Sequence, residues 1–497
     1  MGLVTPSEAV PLSELGRVHF TGIGGAGMSG IARIMLAGGV TVSGTDSAAS
    51  AQLDELAALG AQVAVGHAAG HLGDADTLVV STAIRPDNPE LAEARRRGLR
   101  VLHRSAALAS VMLGRQGIAV AGTHGKTTTT SMITTVLRDA GADPSYVIGG
   151  ILAGTGRGAD AGSGPAFVAE ADESDGSFLN LSPDAAVVTC VEADHLDNYA
   201  DLAQIEAAFR AFAGRISPGG LMVTCADDGG ARKLADTARA DAGAAGRRLR
   251  LVSYGTAADA SYRVSGVAPS GMTVSLVITG GPGTRAAGAG PVPVRLAVPG
   301  AHNALNAAAA FALCAELGIE PARIAAGLAG YAGARRRLEP KGEADGVLVL
   351  DSYAHHPTEL AADLAAARDI ASGGRVIALF QPHLFSRTRI FAGQFGAALG
   401  RADEVIVLDI YAAREDPEPG VTGRLVADAV PGGQAQFLPA RAAAPAVAAG
   451  LAKPGDVVLT MGAGDVTALG PLIVAALRER AGEPGADVPA PGRTGRA

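Results

Sequence analysis

The stretch AGTHGKTTTTSMITTVL, residues 121–137, constrains the fold of this chain more than any other. It follows GIAV, a short β-branched run that reads as a strand. It continues with Met132, Ile133, Val136 and Leu137 at helical spacing. A strand, a glycine turn, a Lys-Thr pair and a helix form the arrangement that cradles a polyphosphate. Backbone N–H groups and the positive helix end favour the anion, Lys126 adds a charge, and Thr127 offers a hydroxyl to a bound cation. The full pattern places a glycine five residues before Gly125, where this chain has Val120. The plainer alternative is a threonine-rich helix start with a chance Gly-Lys.

Strand–helix alternation recurs along the chain and predicts an α/β fold with parallel, doubly wound sheets. At 497 residues the chain exceeds one domain, and three segments are expected. The first, 12–114, holds RVHFTGIGGAGMSGIARIMLAGG, a strand, glycine turn and helix, then strands in VTVSGTD, TLVVSTAI and LRVLHR. The second, 115–333, opens with the phosphate loop and runs through PAFVAEADESD and DAAVVTCVEADH, two strands ending in acids. In it SYRVSGVAPSGMTVSLVI reads as a hairpin and GGPGTRAAGAGPVP as a flexible loop. The third, 334–480, alternates again through GVLVLDSY, RVIALFQPH, EVIVLDIY and DVVLTMGAG, and residues 481–497 are expected to form a disordered tail.

Hydrophobic residues make up 48% of the chain and charged ones 18%, enough apolar surface for several cores. A net charge of −8 argues against broad binding to nucleic acid or anionic membranes. Cys190, Cys225 and Cys314 stand far apart without metal-ligand spacing and read as reduced, buried hydrophobes. No charged-then-apolar leader and no apolar run of 18 residues is present, so a cytoplasmic protein is expected.

Gly22, Gly24 and Gly27 fit G-x-G-x-x-G between a strand and a helix, and Asp46 ends the next strand. Alone this suggests a dinucleotide site. Physically, any nucleotide diphosphate suits a glycine turn followed by a carboxylate. A second, Lys-bearing phosphate loop about a hundred residues later points to two ligands, one diphosphate held and one triphosphate consumed. The acidic runs EADESD (170–175) and EADHLDNY (192–199) should lie beside the phosphate loop, at the carboxyl ends of parallel strands. One or two carboxylates with phosphate oxygens suffice for Mg²⁺. His195 by itself reads more often as a solvated loop residue or a hydrogen-bonded core histidine than as a metal ligand.

Nine motifs in order, GIGGAGMSG, GTHGKTTTT, EADESDGSF, EADHLDNY, GAHNALNAAAA, YAGARRRLE, DSYAHHPTE, QPHLFSRTR and GAGD, resemble the Mur ligase family. The resemblance spans about residues 17 to 466 and is strongest to the alanine-adding branch. It implies a Rossmann-like N-terminal domain (12–114) for a UDP sugar, a central P-loop ATPase-like domain (115–333) for ATP and Mg²⁺, and a Rossmann-like C-terminal closing domain (334–480). The implied activity is ATP-dependent ligation of L-alanine to the lactyl carboxylate of UDP-N-acetylmuramate in cytoplasmic peptidoglycan synthesis. No nucleic acid or membrane partner is implied, and the chain would be a monomer or homodimer.

By motif position, the resemblance puts Gly24, Gly25, Ala26, Gly27, Met28 and Ser29 at the UDP diphosphate, with Asp46, His67 and Ser81 around uridine. Gly122, Thr123, His124, Gly125, Lys126, Thr127 and Thr128 would hold ATP phosphates, and Thr127, Glu170 and His195 would ligate Mg²⁺. His302, Asn303 and Asn306 would meet adenine, and Arg336 and Arg337 the γ-phosphate. His355, His383 and Arg387 would surround alanine, which makes Lys126, His195, Arg337 and Arg387 the catalytic set. Without the family, HNALN is an Asn-capped helix start and ARRR a solvated charge run.

The chain departs from the family at Ser352, where an aspartate usually follows Asp351 and holds ribose, and at Leu384, where many relatives have arginine. It has no lysine between Val191 and Arg215, unlike several sister ligases with a carbamylated lysine there. Two other readings stay open: a recycling ligase that adds a peptide to the same UDP sugar, and a nicotinamide-dependent dehydrogenase. A non-catalytic nucleotide switch is a third.

Overall fold

A computed structural model describes residues 3–482 except 197, 414 and 434, and the side chain of residue 26 is also left aside. The expected tail lies outside the described residues apart from Ala481 and Gly482, which close the helix Leu469–Ala481. Two compact units divide the chain at Arg335–Arg336, with residues 269–272 and 299–301 falling to the second.

The first unit carries two sheets. In the smaller, five parallel strands run in the order Gln62–Val65, Val42–Asp46, Val18–Thr21, Thr77–Val80 and Arg100–His103. The order reverses at Val18–Thr21, and the glycine turn that follows opens the helix Ala26–Ala37 at this switch point. All four residues of Val18–Thr21 are buried, as expected of a strand covered on both faces. The helix Ala26–Ala37 also packs on the strands Ser145–Leu152 and Arg157–Asp160 of the larger sheet. Gly30 permits that approach, because a Cβ there would lie 2.6 Å from the Ala159 methyl.

The larger sheet has ten strands. Its parallel centre runs Arg250–Gly255, Leu221–Cys225, Ala185–Val188, Gln116–Ala121, Ala166–Glu170 and Ser145–Leu152. The strand that feeds the phosphate loop therefore lies between the two acid-ending strands, and all three emerge at one edge. The expected hairpin forms the strands Tyr262–Ser270 and Thr273–Gly280. The expected flexible loop after it is shorter than its sequence suggests, since Pro291–Leu296 pairs antiparallel with Thr273–Gly280. Its two prolines are tolerated because this strand is the sheet edge.

The second unit holds six strands, ordered Glu339–Ala344, Val347–Ser352, Val457–Met461, Val376–Phe380, Glu404–Leu408 and Ala435–Leu438. Five are parallel, and the four predicted from sequence are among them. The antiparallel edge strand Glu339–Ala344 went unpredicted. It is polar, contains Pro340, and shifts register between Pro340 and Gly342, features that read as loop in a sequence. Among the described residues no helix is long and apolar enough to cross a membrane.

Candidate active site

The phosphate loop turns on two glycines. Gly122 has φ +132° and a Cβ there would fall 2.0 Å from Thr189 Oγ1, so no other residue fits. Gly125, at φ +79°, caps the helix Lys126–Asp139, and a Cβ there would meet Asn306 Oδ1 at 2.5 Å. The four threonines behind it are all buried. Thr130 and Thr134 return their hydroxyls to the carbonyls of Lys126 and Thr130, at 2.8 Å each. Thr127 instead reaches Glu170 Oε1 at 3.1 Å and Thr129 reaches Asn306 at 3.3 Å. The run is thus a buried helix start with two threonines turned to functional neighbours.

Lys126 Nζ donates to the carbonyls of Gly122 and Thr123 and to Glu173 Oε1, at 2.7, 3.1 and 2.8 Å. Burial works against its charge, yet Glu173, with Glu170 and Asp172 nearby, raises its pKa well above the usual lysine value. His195 Nε2 lies 3.3 Å from the same Glu173 oxygen and 3.5 Å from Asp194. Burial opposes the imidazolium, but the Glu173 hydrogen bond and the charges of Asp194 and Glu173 together outweigh it, so the pKa of His195 is raised. Glu173 is therefore the hub between Lys126 and His195, a role sequence reasoning missed. The run EADESD advertises four acids, but the turn after Glu170 decides which of them points inward. Glu170 itself accepts from Thr127 and from Gly149 N–H at 2.8 Å.

His124 is held through its main chain, which donates to Cys190 Sγ at 3.2 Å, and its ring faces Glu192 at 3.6 Å. Its surroundings push the Cys190 thiol up to about 12, which disfavours the reactive thiolate, but Cys190 is half-buried rather than buried as expected, unlike Cys225 and Cys314. Asn303 and Asn306 are inside the helix His302–Glu316, one turn apart and joined at 3.0 Å, and so are not helix caps. Asn306 sits over Gly125.

At the first glycine loop, Gly24 N–H donates to Asp46 Oδ2 at 2.9 Å, so the carboxylate braces the turn. Gly25 caps the helix, Gly27 lies in its first turn, and Ser29 N–H bonds the Gly25 carbonyl at 2.8 Å. The Met28 side chain is in the core, which leaves only its main chain for a ligand. His67 Nδ1 lies 2.9 Å from Thr45 Oγ1, and Ser81 follows the strand Thr77–Val80. The first glycine loop meets the acidic turn beside the phosphate loop through a residue the sequence did not flag. Arg104 pairs with Asp172 at 2.9 Å, and its guanidinium lies 3.3 Å from where a Cβ on Gly27 would be. Despite burial, Arg104 and Lys126 hold the Asp172 carboxyl far below its ordinary range.

In the second unit, Arg336 (φ +60°) is anchored by Asp351 at 3.4 Å and the Gly462 carbonyl, over the Tyr353 ring at 4.7 Å. Arg337 faces Glu359 at 3.7 Å. His355 is set by the Tyr353 carbonyl at 3.0 Å and by Glu359, and its ring lies 6.3 Å from that of His383. His383 stacks on Tyr411 at 5.9 Å. Arg387 is buried, 7% exposed, in the first turn of the helix Phe385–Leu399, after Leu384 at φ +69°.

Ser352 is buried and donates to Asp363, so its hydroxyl is turned inward rather than free for a sugar. Burial pushes the Asp363 carboxyl up to about 7, with Glu359 adding to the rise and the Ser352 bond opposing it. The folded chain thus holds this proton more tightly than the unfolded one. The contribution is complete below the ordinary 3.8 and is lost as pH rises through 7. Asp363→Asn keeps an acceptor for Ser352 and should shrink the fall in Tm between about pH 5 and about pH 8. Thermal melts at both pH values check this, and an unchanged fall rules out Asp363 as the cause.

Comparison with known proteins covers the whole arrangement. Residues 17–116 match the description Mur ligase family, catalytic domain; 120–314, Mur ligase middle domain; and 336–464, Mur ligase, glutamate ligase domain. The UDP-N-acetylmuramate–L-alanine ligase of Thermobifida fusca is 58% identical over 96% of this chain and 100% of its own length. That of Kineococcus radiotolerans is 56% identical over 94% and 98%. Among solved structures, the UDP-N-acetylmuramate-alanine ligase of Thermotoga maritima aligns with a TM-score of 0.75 at 28% identity, covering 94% of this chain and 100% of that one. Two glycine loops, Arg104 between the first of them and the acidic turn, an acid-flanked lysine and similarity along nearly the full length converge on one conclusion: the chain belongs to the Mur ligase family.

Proposed function

We propose that this enzyme joins L-alanine to the lactyl carboxylate of UDP-N-acetylmuramate, at the expense of ATP, and releases ADP and phosphate. The observation that carries this reading is the Lys126–Glu173–His195 cluster, built on the buried Glu173, at a phosphate loop in the same unit as a glycine loop suited to a diphosphate. The proposed division is 12–114 for the UDP sugar, 115–333 for ATP, and 334–480 for the amino acid. The cytoplasm, where both nucleotides are at hand, is the proposed location, as monomer or homodimer.

The chemistry follows from a poor electrophile. A lactyl carboxylate oxygen attacks the γ-phosphorus of ATP, ADP leaves, and an acyl phosphate forms. The amine of alanine then attacks the acyl carbon, loses a proton, and the tetrahedral intermediate expels phosphate as the amide forms. Both steps build negative charge that positioned cations stabilise. Lys126 Nζ, held at 2.7 Å to Gly122 O, is aimed by the loop itself and serves the β- and γ-phosphates. Thr123, His124 and Thr128 line the same turn, His302, Asn303 and Asn306 are assigned to adenine, and Arg336 and Arg337 to the γ-phosphate.

Hard oxygen donors fit Mg²⁺ here: the Thr127 hydroxyl, the Glu170 carboxylate, and Glu173 Oε2, which is buried and accepts no hydrogen bond among the described residues. Bound there with His195, the ion would neutralise phosphate charge. His195→Ala is expected to raise the Mg²⁺ concentration needed for half-maximal turnover by about tenfold or more. A lower Tm with unaltered Mg²⁺ dependence makes His195 a packing residue instead.

Phosphate release from ATP, scanned over UDP sugars and amino acids, tests the whole reading. Release is expected to need UDP-N-acetylmuramate together with an amino acid, fastest with alanine and slower with glycine. Release with an alanyl peptide but not with alanine selects the recycling ligase; binding without release selects a nucleotide switch.

A further inference from the structure

Beneath the first glycine loop lies a buried carboxylate that nothing above has used. Glu90, in the first turn of the helix Pro89–Arg97, is 0% exposed. It accepts from Thr21 Oγ1 at 2.7 Å, from Thr45 Oγ1 at 2.8 Å and from Ala68 N–H at 3.3 Å. Three histidines surround it: His19 at 3.5 Å, His67 at 3.7 Å and His71 at 3.6 Å. Its donors are the residues just before Gly22 and Asp46 and the residue just after His67, so one side chain ties together three segments of the proposed uridine pocket. Burial works against its charge, but the nearby His19 and the hydrogen bonds from Thr21 and Thr45 bring its pKa down to about 2, and the helix start favours an anion.

An ionised carboxylate can only accept. Thr45 has one hydroxyl proton, and at 2.8 Å that proton belongs to Glu90. The contact of 2.9 Å between Thr45 Oγ1 and His67 Nδ1 therefore requires the ring to donate. A neutral His67 with its proton on Nδ1 presents a lone pair at Nε2. We propose that Glu90 is a positioning residue that, through Thr45, fixes the tautomer of His67 and makes its Nε2 an acceptor for the N3–H of uracil, selecting uridine over cytidine nucleotides. Cytosine carries a lone pair at N3, so the two acceptors oppose each other there. The inference rests on the nucleotide-sugar reading of this loop.

Calorimetric titration of the full chain with UDP and with CDP tests it. The unaltered protein is expected to prefer UDP. Thr45→Val removes the relay hydroxyl, and Glu90→Gln can donate as well as accept, so neither imposes the tautomer. Each should cut the UDP-over-CDP preference by about tenfold, mainly by weakening UDP, the worth of one hydrogen bond to a base. Melting curves show whether the variants are folded; if Glu90→Gln is not, Thr45→Val decides. An unaltered preference in folded Thr45→Val, or equal binding of UDP and CDP by the unaltered protein, overturns the relay alone. Binding of neither nucleotide by the unaltered protein overturns the nucleotide-sugar reading and the relay with it.

Discussion

Lys126→Ala is expected to lower phosphate release by at least about 10³-fold, since it removes the cation placed for the transferred phosphoryl group. The structure adds a second expectation. Lys126 is the partner of the buried Glu173, with Asp172 and His195 around it. Removing one side of a buried ion pair costs about 3–5 kcal/mol unless the other side takes up a proton. The single variant should therefore also melt earlier. Lys126→Ala combined with Glu173→Gln should recover much of the Tm without recovering turnover, which separates chemistry from folding. UDP binding should persist in both, because the first glycine loop is built by other strands. Phosphate release in single and double variants, with melts and UDP titration alongside, checks the set; a Lys126→Ala protein that keeps most of its turnover removes the phosphate-loop reading.

Arg387→Ala is expected to raise the KM for alanine by about 10–100-fold while the KM values for ATP and UDP sugar change little. A charged hydrogen bond of this kind is worth about 1.5–3 kcal/mol. Arg387 is buried in the first helical turn after Leu384. We propose Arg387 as the guanidinium for the amino-acid carboxylate, with the rings of His355 and His383 beside one another 6.3 Å apart. Arg387→Lys should recover only part of the loss, since an ammonium cannot reproduce the two-pronged fork. Glycine should be a slow substrate rather than a dead one, because one methyl is worth only about 1–3 kcal/mol. Steady-state kinetics with each substrate varied in turn decides the matter. An effect confined to ATP assigns Arg387 to phosphate instead and leaves alanine to the histidines.

Legibility in the sequence followed the range of the interactions. GIAV and the apolar spacing of Met132, Ile133, Val136 and Leu137 announced a strand and a helix, which the structure shows as Gln116–Ala121 and Lys126–Asp139. Edge strands did not announce themselves. Glu339–Ala344 and Pro291–Leu296 carry prolines and charge, and only their pairing to a neighbour makes them strands. Of the acids in EADESD, motif position pointed to Glu170, while the fold turned Glu173 toward Lys126 and Asp172 toward Arg104. Met28, inside a binding motif, proved to be core.

The sequence by itself determined the elements and their chemistry: alternating apolar runs, glycine turns at their ends, and a lysine and acids in fixed order along the chain. These are local properties, set by periodicity and backbone freedom within a few residues. The tertiary structure alone decided which distant groups face each other. Strand order put Ala166–Glu170 and Ala185–Val188 on either side of the phosphate loop, 43 residues separating Thr127 from Glu170 and 69 separating Thr123 from Glu192. It also buried Glu90 under Thr21, Thr45 and His67, which lie on separate segments of the chain. Burial and charge pairing act through space, so the charge on Lys126, the proton on Asp363 and the tautomer of His67 follow from neighbours that no local window of sequence contains.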